Sequence, residues 1–259
     1  EKTYNTAISV SGDTIVLRTL TELATQKKWL TGLVATCSIT HATPAAFFAH
    51  QPSRYMHEEI ANDFYSSGIN IAIGGGKPYF NTDKLAQAGY GVALGKDEIE
   101  NIEGNKWIGF FNDSIHPPKV TEGRRGFLPF ATKKALYALD AQKKPFFLLV
   151  EGSQIDWGGH DHDAGYVQEE LVDFDQSIKV VLEYIKTHPN TLLVITADHE
   201  TGGLTLLSDN NKSVKPHFST EDHSGIIVPV FAFGEGAKDF TGIYENTGIF
   251  DRLLKVMQL

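Results

Sequence analysis

The feature that most constrains this chain is a polar segment, residues 151–163, that directly follows an apolar run. The run, residues 145–150 (PFFLLV), is typical of a strand covered on both faces of a sheet. Beyond the polar segment, apolar residues recur at steps of three and four, as on one face of a helix: Val167, Leu171, Phe174, Ile178 and Val181. The pattern therefore predicts a polar loop at the carboxyl end of a buried strand, where open α/β sheets bind their ligands.

The polar segment, EGSQIDWGGHDHD, concentrates carboxylates and imidazoles in a short stretch of chain. These residues are Glu151, Asp156, His160, Asp161, His162 and Asp163. Asp156 and His160 stand four residues apart, so they can face the same way and offer one oxygen and one nitrogen to a cation such as zinc. An acidic, histidine-rich loop that is simply hydrated is the alternative interpretation.

A second apolar run, residues 191–196 (TLLVIT), is followed by the same kinds of side chain. Asp198, His199 and Glu200 come directly after it. Because parallel strands have their carboxyl ends at the same edge of a sheet, two successive βα units would bring these residues close to the first polar segment. This repetition favours a metal site over a hydrated loop.

The last predicted strand, residues 226–233 (IIVPVFAF), differs from the others in its direction. His223 precedes this strand, whereas the other candidate ligands follow theirs, so His223 joins them only if the strand runs antiparallel. Pro229 is unfavourable in a central strand and indicates a bulge or an edge position. We therefore expect a mostly parallel sheet with one antiparallel strand.

The remaining patterns predict an α/β protein in three layers, with helices on both faces of a central sheet. The chain has 259 residues, enough for one domain with a sizeable core, and no linker divides residues 1–259. Further predicted helices cover residues 13–26 (with Asp13 as N-cap), 53–65 and 129–142, and residues 244–259 end in another helix. Further predicted strands cover residues 29–36, 70–73 and 106–111.

Thr43 and Arg54, both in the first third of the chain, each have two alternative interpretations, one structural and one chemical. Thr43 followed by Pro44 is typical of an N-cap and the first helical position, and capping alone explains Thr43. Arg54 falls in the first turn of the helix predicted for residues 53–65, where a cation opposes the helix dipole. A bound anion would explain Arg54, and an ordinary surface arginine is the alternative.

Composition excludes several classes of function. The formal net charge of −9 argues against a general nucleic-acid binder. Cys37 is the single cysteine, which excludes an internal disulfide, and its apolar surroundings indicate a core residue rather than a nucleophile. The sequence contains neither a signal peptide nor an apolar run of membrane-spanning length. The chain starts at Glu1 without a methionine, so we expect a preceding segment, and localisation cannot be read from this end.

Four motifs together resemble the bacterial alkaline phosphatases, in the same order and over essentially the whole chain: ITHATPAAF, VEGSQIDWGGHDHD, TADHETGGL and HSGIIVPVFAFGEGA. Four motifs in order are far more specific than any one of them. In that family two zinc ions and a nearby magnesium ion hydrolyse phosphate monoesters through a phosphoserine intermediate. The resemblance therefore implies an enzyme that binds phosphate monoesters and inorganic phosphate, forms a homodimer, and is periplasmic or secreted.

The resemblance also assigns the candidate residues to three metal sites and a phosphate clamp. The assignments are Asp156, His160 and His223 for the first zinc; Asp198 and His199 for the second zinc; Glu151 and Thr43 for magnesium, with His41 beside it; Arg54 for the phosphoryl oxygens; and Trp157 near the first zinc. Family members vary between aspartate and histidine at the position of His41, and that choice affects whether the third site prefers magnesium.

The chain departs from the family at its start. The family's nucleophilic serine, and the aspartate that bridges the second and third metals, lie in a segment that precedes the equivalent of residues 1–8, so neither is in this sequence. That segment should also carry the first strand of the sheet. We therefore expect these 259 residues to bind the first zinc better than the second and to have little or no turnover alone.

Two alternatives to a phosphate monoesterase stay open. One is a relative with the same metal pair and another substrate, such as a phosphodiesterase, a sulfatase or a cofactor-independent mutase. The other is a metal-binding fragment, not itself an enzyme, that a partner or a cleaved N-terminal piece keeps folded. Turnover of an aryl monoester against a bis-aryl diester distinguishes the first alternative, and intact-mass analysis for a second polypeptide distinguishes the second.

Overall fold

The structure is a computed structural model that describes residues 2–209 and 213–259. A five-stranded parallel sheet forms its centre. Across the sheet the strands are β3 (Gly91–Leu94), β4 (Trp107–Phe110), β2 (Ile71–Gly75), β1 (Leu30–Ser38) and β5 (Phe146–Glu151). Every residue of β1 is buried, as expected for a central strand of a sheet that is covered on both faces.

Helices surround this sheet. Their bounds are α1 (Leu20–Gln26), α2 (Ala42–Ala45), α3 (His57–Phe64), α4 (Thr82–Gln87), α5 (Gly95–Asn101), α6 (Phe127–Asp140), α7 (Gln154–His160), α8 (Ala164–Ile185) and α9 (Gly248–Met257). Short 3-10 turns are formed by Lys77–Tyr79, Val120–Glu122 and Ala237–Phe240. In the described parts of the chain, no helix has both the length and the apolar character that crossing a membrane requires.

Alternate residues of β1 pack into two different hydrophobic clusters, one on each face of the sheet. Leu33 belongs to the cluster that contains Ile60 and Phe64 of α3. Its neighbour Val34 belongs to the cluster that contains Phe127 and Leu128 of α6. Since successive side chains of a strand point to opposite faces, helices cover both sides of the sheet, and the predicted three-layer α/β architecture is confirmed.

The remaining strands form separate two-stranded pairs, each antiparallel. The pairs are β6 (Leu192–Ile195) with β11 (Phe231–Gly234), β7 (Glu200–Thr201) with β10 (His223–Ser224), and β8 (Thr205–Ser208) with β9 (Val214–His217). The antiparallel strand predicted for residues 226–233 is confirmed in direction, but it begins at Phe231. Pro229 stays outside the ladder because it has no N–H to donate. Residues 201–222 are turn-rich and polar in the sequence, and part of this stretch, residues 210–212, lies outside the described residues.

The start of the first helix corrects the prediction for residues 13–26. The helix α1 begins at Leu20, and Thr19 rather than Asp13 is its N-cap. The Thr19 side chain accepts a hydrogen bond from the N–H of Glu22, and the Glu22 carboxylate accepts one from the N–H of Thr19 at 2.8 Å. This capping box satisfies two backbone donors at once, which a cap at Asp13 would not do.

Two further helix predictions are wrong in ways that affect candidate site residues. The helix α2 begins after His41, so Thr43 lies inside its first turn and is not the N-cap. The helix α3 begins at His57, so Arg54 precedes it and the expected conflict with the helix dipole does not arise. The polar segment that follows β5 is not a plain loop, because it contains α7, which carries Asp156 and His160.

Candidate metal centre

Three potential metal ligands from three elements converge at the carboxyl end of the strands. Asp156 lies on α7, His199 lies between β6 and β7, and His223 begins β10. One ligand atom from each lies within 4.8 Å of the other two. The pairing of β7 with β10 sets His223 opposite Thr201, and the Thr201 hydroxyl donates to the Asp156 carboxylate. The short antiparallel pair thus holds all three side chains in one place.

His160 stands one helical turn after Asp156 and faces the same cluster. Its Nε2 lies 3.2 Å from Nε2 of His223 and 3.5 Å from Oδ1 of Asp156. Its Nδ1 lies 2.8 Å from the carbonyl oxygen of Glu221, which can only accept, so in the neutral ring Nδ1 carries the proton. The unprotonated Nε2 then faces His223 and Asp156, and a backbone carbonyl fixes the ring, as is typical of a histidine that binds a metal.

Asp198 and His199 form a close pair beyond the end of β6. Nε2 of His199 lies 3.1 Å from Oδ2 of Asp198, and this hydrogen bond raises the pKa of His199. Burial alone raises the pKa of Asp198, but the hydrogen bond and the charge of His199 outweigh burial and hold that pKa below its ordinary value. The ring of His199 also stacks on His223, with centroids 3.5 Å apart. The structure therefore brings residues predicted for two zinc ions into one continuous cluster.

Glu151, the last residue of β5, forms a second group of oxygen donors. Its Oε2 accepts a hydrogen bond from Oγ of Ser153 at 2.7 Å and lies 3.6 Å from Sγ of Cys37, and the Thr43 hydroxyl is near enough to lower the pKa of the carboxyl group. Burial raises the pKa of Glu151, and these hydroxyl contacts oppose the rise only in part. Asp198 is near enough for its negative charge to raise that pKa further. Carboxylate and hydroxyl oxygens are ligands that suit a hard cation such as magnesium.

Arg54 and His41 lie side by side next to these donors. Nη2 of Arg54 is 3.3 Å from Nε2 of His41; since arginine can only donate, Nε2 accepts and Nδ1 of the neutral ring holds the proton. That Nδ1 is buried and has no hydrogen-bond partner among the described residues. Burial and then the charge of Arg54 lower the pKa of His41 to about 4. No carboxylate lies within 4.0 Å of the Arg54 guanidinium in the described structure, so its charge is available to an anion.

His116 is a residue of this region that the sequence did not reveal. Its ring lies 4.9 Å from that of Trp157 and 6.0 Å from that of His41, and the rings of Trp157 and His41 are 5.9 Å apart. The N–H of Ser38 donates to Nδ1 of His116 at 3.1 Å, which fixes the ring at the end of β1. His116 comes from the loop before Pro117, where no spacing relates it to the other histidines, so the sequence carried no signal for it.

A family model matches this arrangement of fold and site. The alkaline phosphatase model matches residues 1–107 and 98–218, and the chain belongs to the alkaline phosphatase family. Alkaline phosphatase 4 of Bacillus subtilis (strain 168) is 34% identical in an alignment of 272 residues, which covers 99% of this chain and 59% of that protein. Alkaline phosphatase 3 of the same organism is 38% identical over 80% of this chain and 48% of its own length. The chain thus spans about half the length of the curated relatives it matches.

Solved structures agree with the family and with the fold. The alkaline phosphatase from the Antarctic bacterium TAB5 is 40% identical, with a TM-score of 0.94 over 99% of this chain and 80% of that chain. A variant of the TAB5 enzyme, described with Mg bound in its M3 site, is 38% identical with a TM-score of 0.92. A cold-active relative from Shewanella sp. is 29% identical with a TM-score of 0.93. Metal dependence and phosphatase activity are therefore properties of the family to which this chain belongs.

Proposed function

We propose that this chain carries the metal ligands and the phosphate clamp of a phosphate monoester hydrolase. The observation that carries the proposal is the cluster of Asp156, His199 and His223, whose ligand atoms lie within 4.8 Å of one another. Arg54, a cation without a carboxylate partner among the described residues, lies beside His41 at the same end of the sheet. A group of metal ligands next to an unneutralised arginine is suited to a phosphoryl group.

The donor atoms fit two zinc ions and one magnesium ion. Imidazole and carboxylate ligands suit zinc, whereas a carboxylate with a hydroxyl suits magnesium. The proposed ligands are Asp156, His160 and His223 for the first zinc, Asp198 and His199 for the second, and Glu151 with Thr43 for magnesium. When bound, these cations supply positive charge that stabilises the oxygens of a phosphoryl group during transfer.

Arg54 binds two phosphoryl oxygens at once in this proposal, because its planar guanidinium presents parallel N–H groups that lysine lacks. His41 orients the guanidinium by accepting from Nη2 at 3.3 Å. His116 and Trp157 pack edge-on against the ring of His41 and restrict its position. Their role is to keep Arg54 aligned towards the metal ligands.

The proposed phosphoserine intermediate needs a serine nucleophile, which we assign to polypeptide outside residues 1–259. Among the described residues, Ser153 and Ser224 lie beside the candidate metal ligands, and both hydroxyls are already engaged. Ser153 donates to Glu151, and Ser224 donates to Glu200. We therefore expect residues 1–259 alone to bind zinc and phosphate with little or no turnover. Homodimer formation and a periplasmic or secreted location stay predictions.

Zinc content tests the metal assignment without depending on activity. Zinc bound by the 259-residue protein is measured by mass spectrometry after equilibrium dialysis. His160→Ala is expected to remove roughly one equivalent of zinc, because the substitution deletes an imidazole ring that is oriented to bind a metal. His217→Ala is the matched control and should keep the full zinc content, since His217 is an exposed histidine on β9 that is not among the grouped ligands. Unchanged zinc content in His160→Ala would contradict the assignment.

Phosphate binding tests the clamp separately from the metals. In calorimetric titrations of the zinc-loaded protein with inorganic phosphate, Arg54→Ala should weaken binding by about tenfold to a hundredfold, the loss expected for a hydrogen bond to a charged group. Arg54→Lys keeps the charge and should recover only part of the affinity. Zinc content should not change in either variant, and a loss of zinc in Arg54→Ala would refute the role. For the protein with its nucleophile, faster turnover of a bis-aryl diester than of an aryl monoester would favour a phosphodiesterase instead.

A further inference from the structure

The turn between α7 and α8 has a histidine at a position where glycine is the usual residue. The N–H of His162 donates to the carbonyl oxygen of Gly159 at 3.1 Å. The N–H of the next residue, Asp163, donates to the carbonyl oxygen of Gly158 at 3.0 Å. These two hydrogen bonds define a Schellman motif, in which the residue at the position of His162 adopts a left-handed conformation. The φ of His162 is 51°, which is unfavourable for a residue with a Cβ.

The side chain of His162 contacts residues 218–222, which we call the His223 segment because His223 follows it directly. Nε2 of His162 lies 2.7 Å from the carbonyl oxygen of Thr220, which can only accept, so Nε2 carries the proton and donates. The ring of His162 stacks on Phe218, with centroids 5.0 Å apart and an angle of 13° between the planes. A glycine would make neither contact. Both contacts therefore compensate the unfavourable backbone conformation of His162.

His160 contacts the same segment one residue further along the chain. Its Nδ1 donates to the carbonyl oxygen of Glu221 at 2.8 Å. Two histidines at the end of α7 thus bind consecutive carbonyl groups directly before His223. His160 and His223 are both proposed ligands of the first zinc. The Nε2 of His162, in contrast, is already bonded to a carbonyl group, so His162 is suited to hold the segment and not the metal.

Backbone hydrogen bonds to Gly202 also hold the His223 segment. The carbonyl oxygen of Gly202 accepts from the N–H groups of Ser219 at 2.9 Å and Thr220 at 3.2 Å. The N–H of Gly202 donates to the carbonyl oxygen of Asp222 at 3.1 Å. None of these bonds involves His162. Loss of the His162 side chain should therefore loosen the segment without releasing it from the protein.

We propose that His162 is a positioning residue for the first zinc site, which fixes the His223 segment so that the imidazoles of His160 and His223 meet. Their Nε2 atoms lie 3.2 Å apart. Two nitrogen ligands of a tetrahedral zinc ion, each about 2.0 Å from the metal, are about 3.3 Å apart, so the two rings already have nearly the required spacing. Residues that orient metal-binding histidines from outside the ligand set contribute strongly to metal affinity. This inference rests on the proposed metal centre and adds a residue that acts through the Thr220 carbonyl group.

Replacement of His162 by glycine separates this role from a general role in folding. Glycine removes the unfavourable backbone conformation of the Schellman turn, and it also removes the hydrogen bond to Thr220. If His162 positions the zinc ligands, the metal-free protein should be as stable as before or more stable, while zinc binding becomes weaker. A residue that supported only the fold would change zinc affinity no more than it changes stability.

The test compares zinc affinity with the stability of the metal-free protein. The dissociation constant of the tighter zinc site is measured by competition with a chromogenic chelator, and urea unfolding of the metal-free 259-residue protein is followed in parallel. His162→Gly should raise the zinc dissociation constant by about tenfold or more, with an unchanged or higher urea midpoint. His162→Asn should weaken zinc binding in the same way, because asparagine tolerates the left-handed conformation but is too short to reach the Thr220 carbonyl group.

Two further variants complete the design. His162→Gln should recover most of the zinc affinity, because its side-chain nitrogen takes nearly the place of Nε2 of histidine and can donate to Thr220. Lys143→Gly is the matched control, since exposed Lys143 also has a positive φ, 53°, but lies in the turn before β5, at the opposite end of that strand from Glu151. It should leave zinc affinity unchanged.

The outcomes distinguish this inference from the metal centre on which it rests. Unchanged zinc affinity in His162→Gly would overturn the role of His162 and leave the metal centre intact. The role would also be overturned if His162→Gly lost stability in proportion to zinc affinity, or if His162→Gln bound zinc no more tightly than His162→Gly. Absence of zinc binding in the unchanged protein would refute the metal centre, and the role of His162 with it.

Discussion

Arg124 forms a buried ion network that supports a testable prediction about stability. Its side chain is 0% exposed and pairs with Glu170 and, at 3.3 Å, with Asp173, both on α8 and both nearly as buried. Nε of Arg124 donates to the carbonyl oxygen of Pro118 at 2.8 Å, and Glu170 also accepts from the N–H of Val120 at 3.0 Å. Two buried carboxylates therefore share one arginine, which ties the loop before α6 to α8.

Replacement of Arg124 by alanine leaves Glu170 and Asp173 buried without a cation. Removal of one partner from a buried ion pair costs about 3–5 kcal/mol, because the remaining charge has lost both water and its counterion. For a domain of this size, that loss corresponds to a melting temperature lower by about 6–20 °C. Arg124→Met, which keeps most of the side-chain volume, should lose nearly as much if charge rather than packing is responsible.

The assay is urea unfolding followed by circular dichroism, with the free energy of unfolding extrapolated to zero urea. Arg125 provides the matched control, since its pair with Glu169 is 63% exposed on the arginine side. Exposed ion pairs contribute about 0–1 kcal/mol, so Arg125→Ala should change the free energy of unfolding by less than about 1 kcal/mol. If Arg124→Ala loses no more stability than Arg125→Ala, the buried network does not stabilise the fold and the reasoning is refuted.

Three further predictions concern helix starts and the metal centre. Thr19→Ala should lower the free energy of unfolding by about 1 kcal/mol, as for loss of an N-cap, whereas Asp13→Ala should have no effect in the same urea assay. For Glu22, burial raises the pKa, but the hydrogen bond from the Thr19 N–H and other contacts outweigh burial and lower it below 4.5. The stability that Glu22 adds is therefore complete above pH 4.5 and is lost as the pH falls through the folded-state pKa. In Glu22→Gln the free energy of unfolding should fall less steeply with decreasing pH than in the unchanged protein. An equally steep fall in both proteins would refute the role of Glu22. Gly159→Ala should destabilise the protein and weaken zinc binding in the dialysis assay, because its Cβ would lie 2.9 Å from the carbonyl oxygen of Thr201. Unchanged zinc affinity would show that the close approach of Gly159 to Thr201 does not position the ligands.

The buried strands and the segments that carry ligands could be predicted because their signals are local. Apolar runs without alternation identify β1 and β5 as strands covered on both faces. The start of α1 was also available in the sequence, since Thr19 and Glu22 have the spacing of a capping box. Asp13 has only the composition of a cap, and the reciprocal hydrogen bonds at Thr19 decide the helix start. The helix start is therefore predicted correctly only when the N-cap residue and the residue three positions later, here Thr19 and Glu22, are considered together.

Contacts that depend on distant loops could not be predicted. His116 reaches the rings of His41 and Trp157 because the Ser38 N–H holds it at the end of β1. Nothing in the spacing of His116 from those residues indicates this contact. The pattern of residues places Arg54 in the first turn of a helix, and that placement is wrong. In the structure Arg54 is distinguished by its hydrogen bond to His41 and by the lack of a carboxylate partner among the described residues.

The helix α7 shows why the metal centre itself was only partly visible in the sequence. Gly158 and Gly159 lie between the ligands Asp156 and His160, and each glycine lowers helix propensity by about 1 kcal/mol, so the sequence argued for a loop. A Cβ at Gly158 would lie 2.8 Å from the backbone nitrogen of Val167, so glycine is what allows α7 to approach α8. That close packing, and the similar approach of Gly159 to β7, bring α7 near His199 and His223. The residues that obscure the helix in the sequence are therefore those that let its two ligands meet the others.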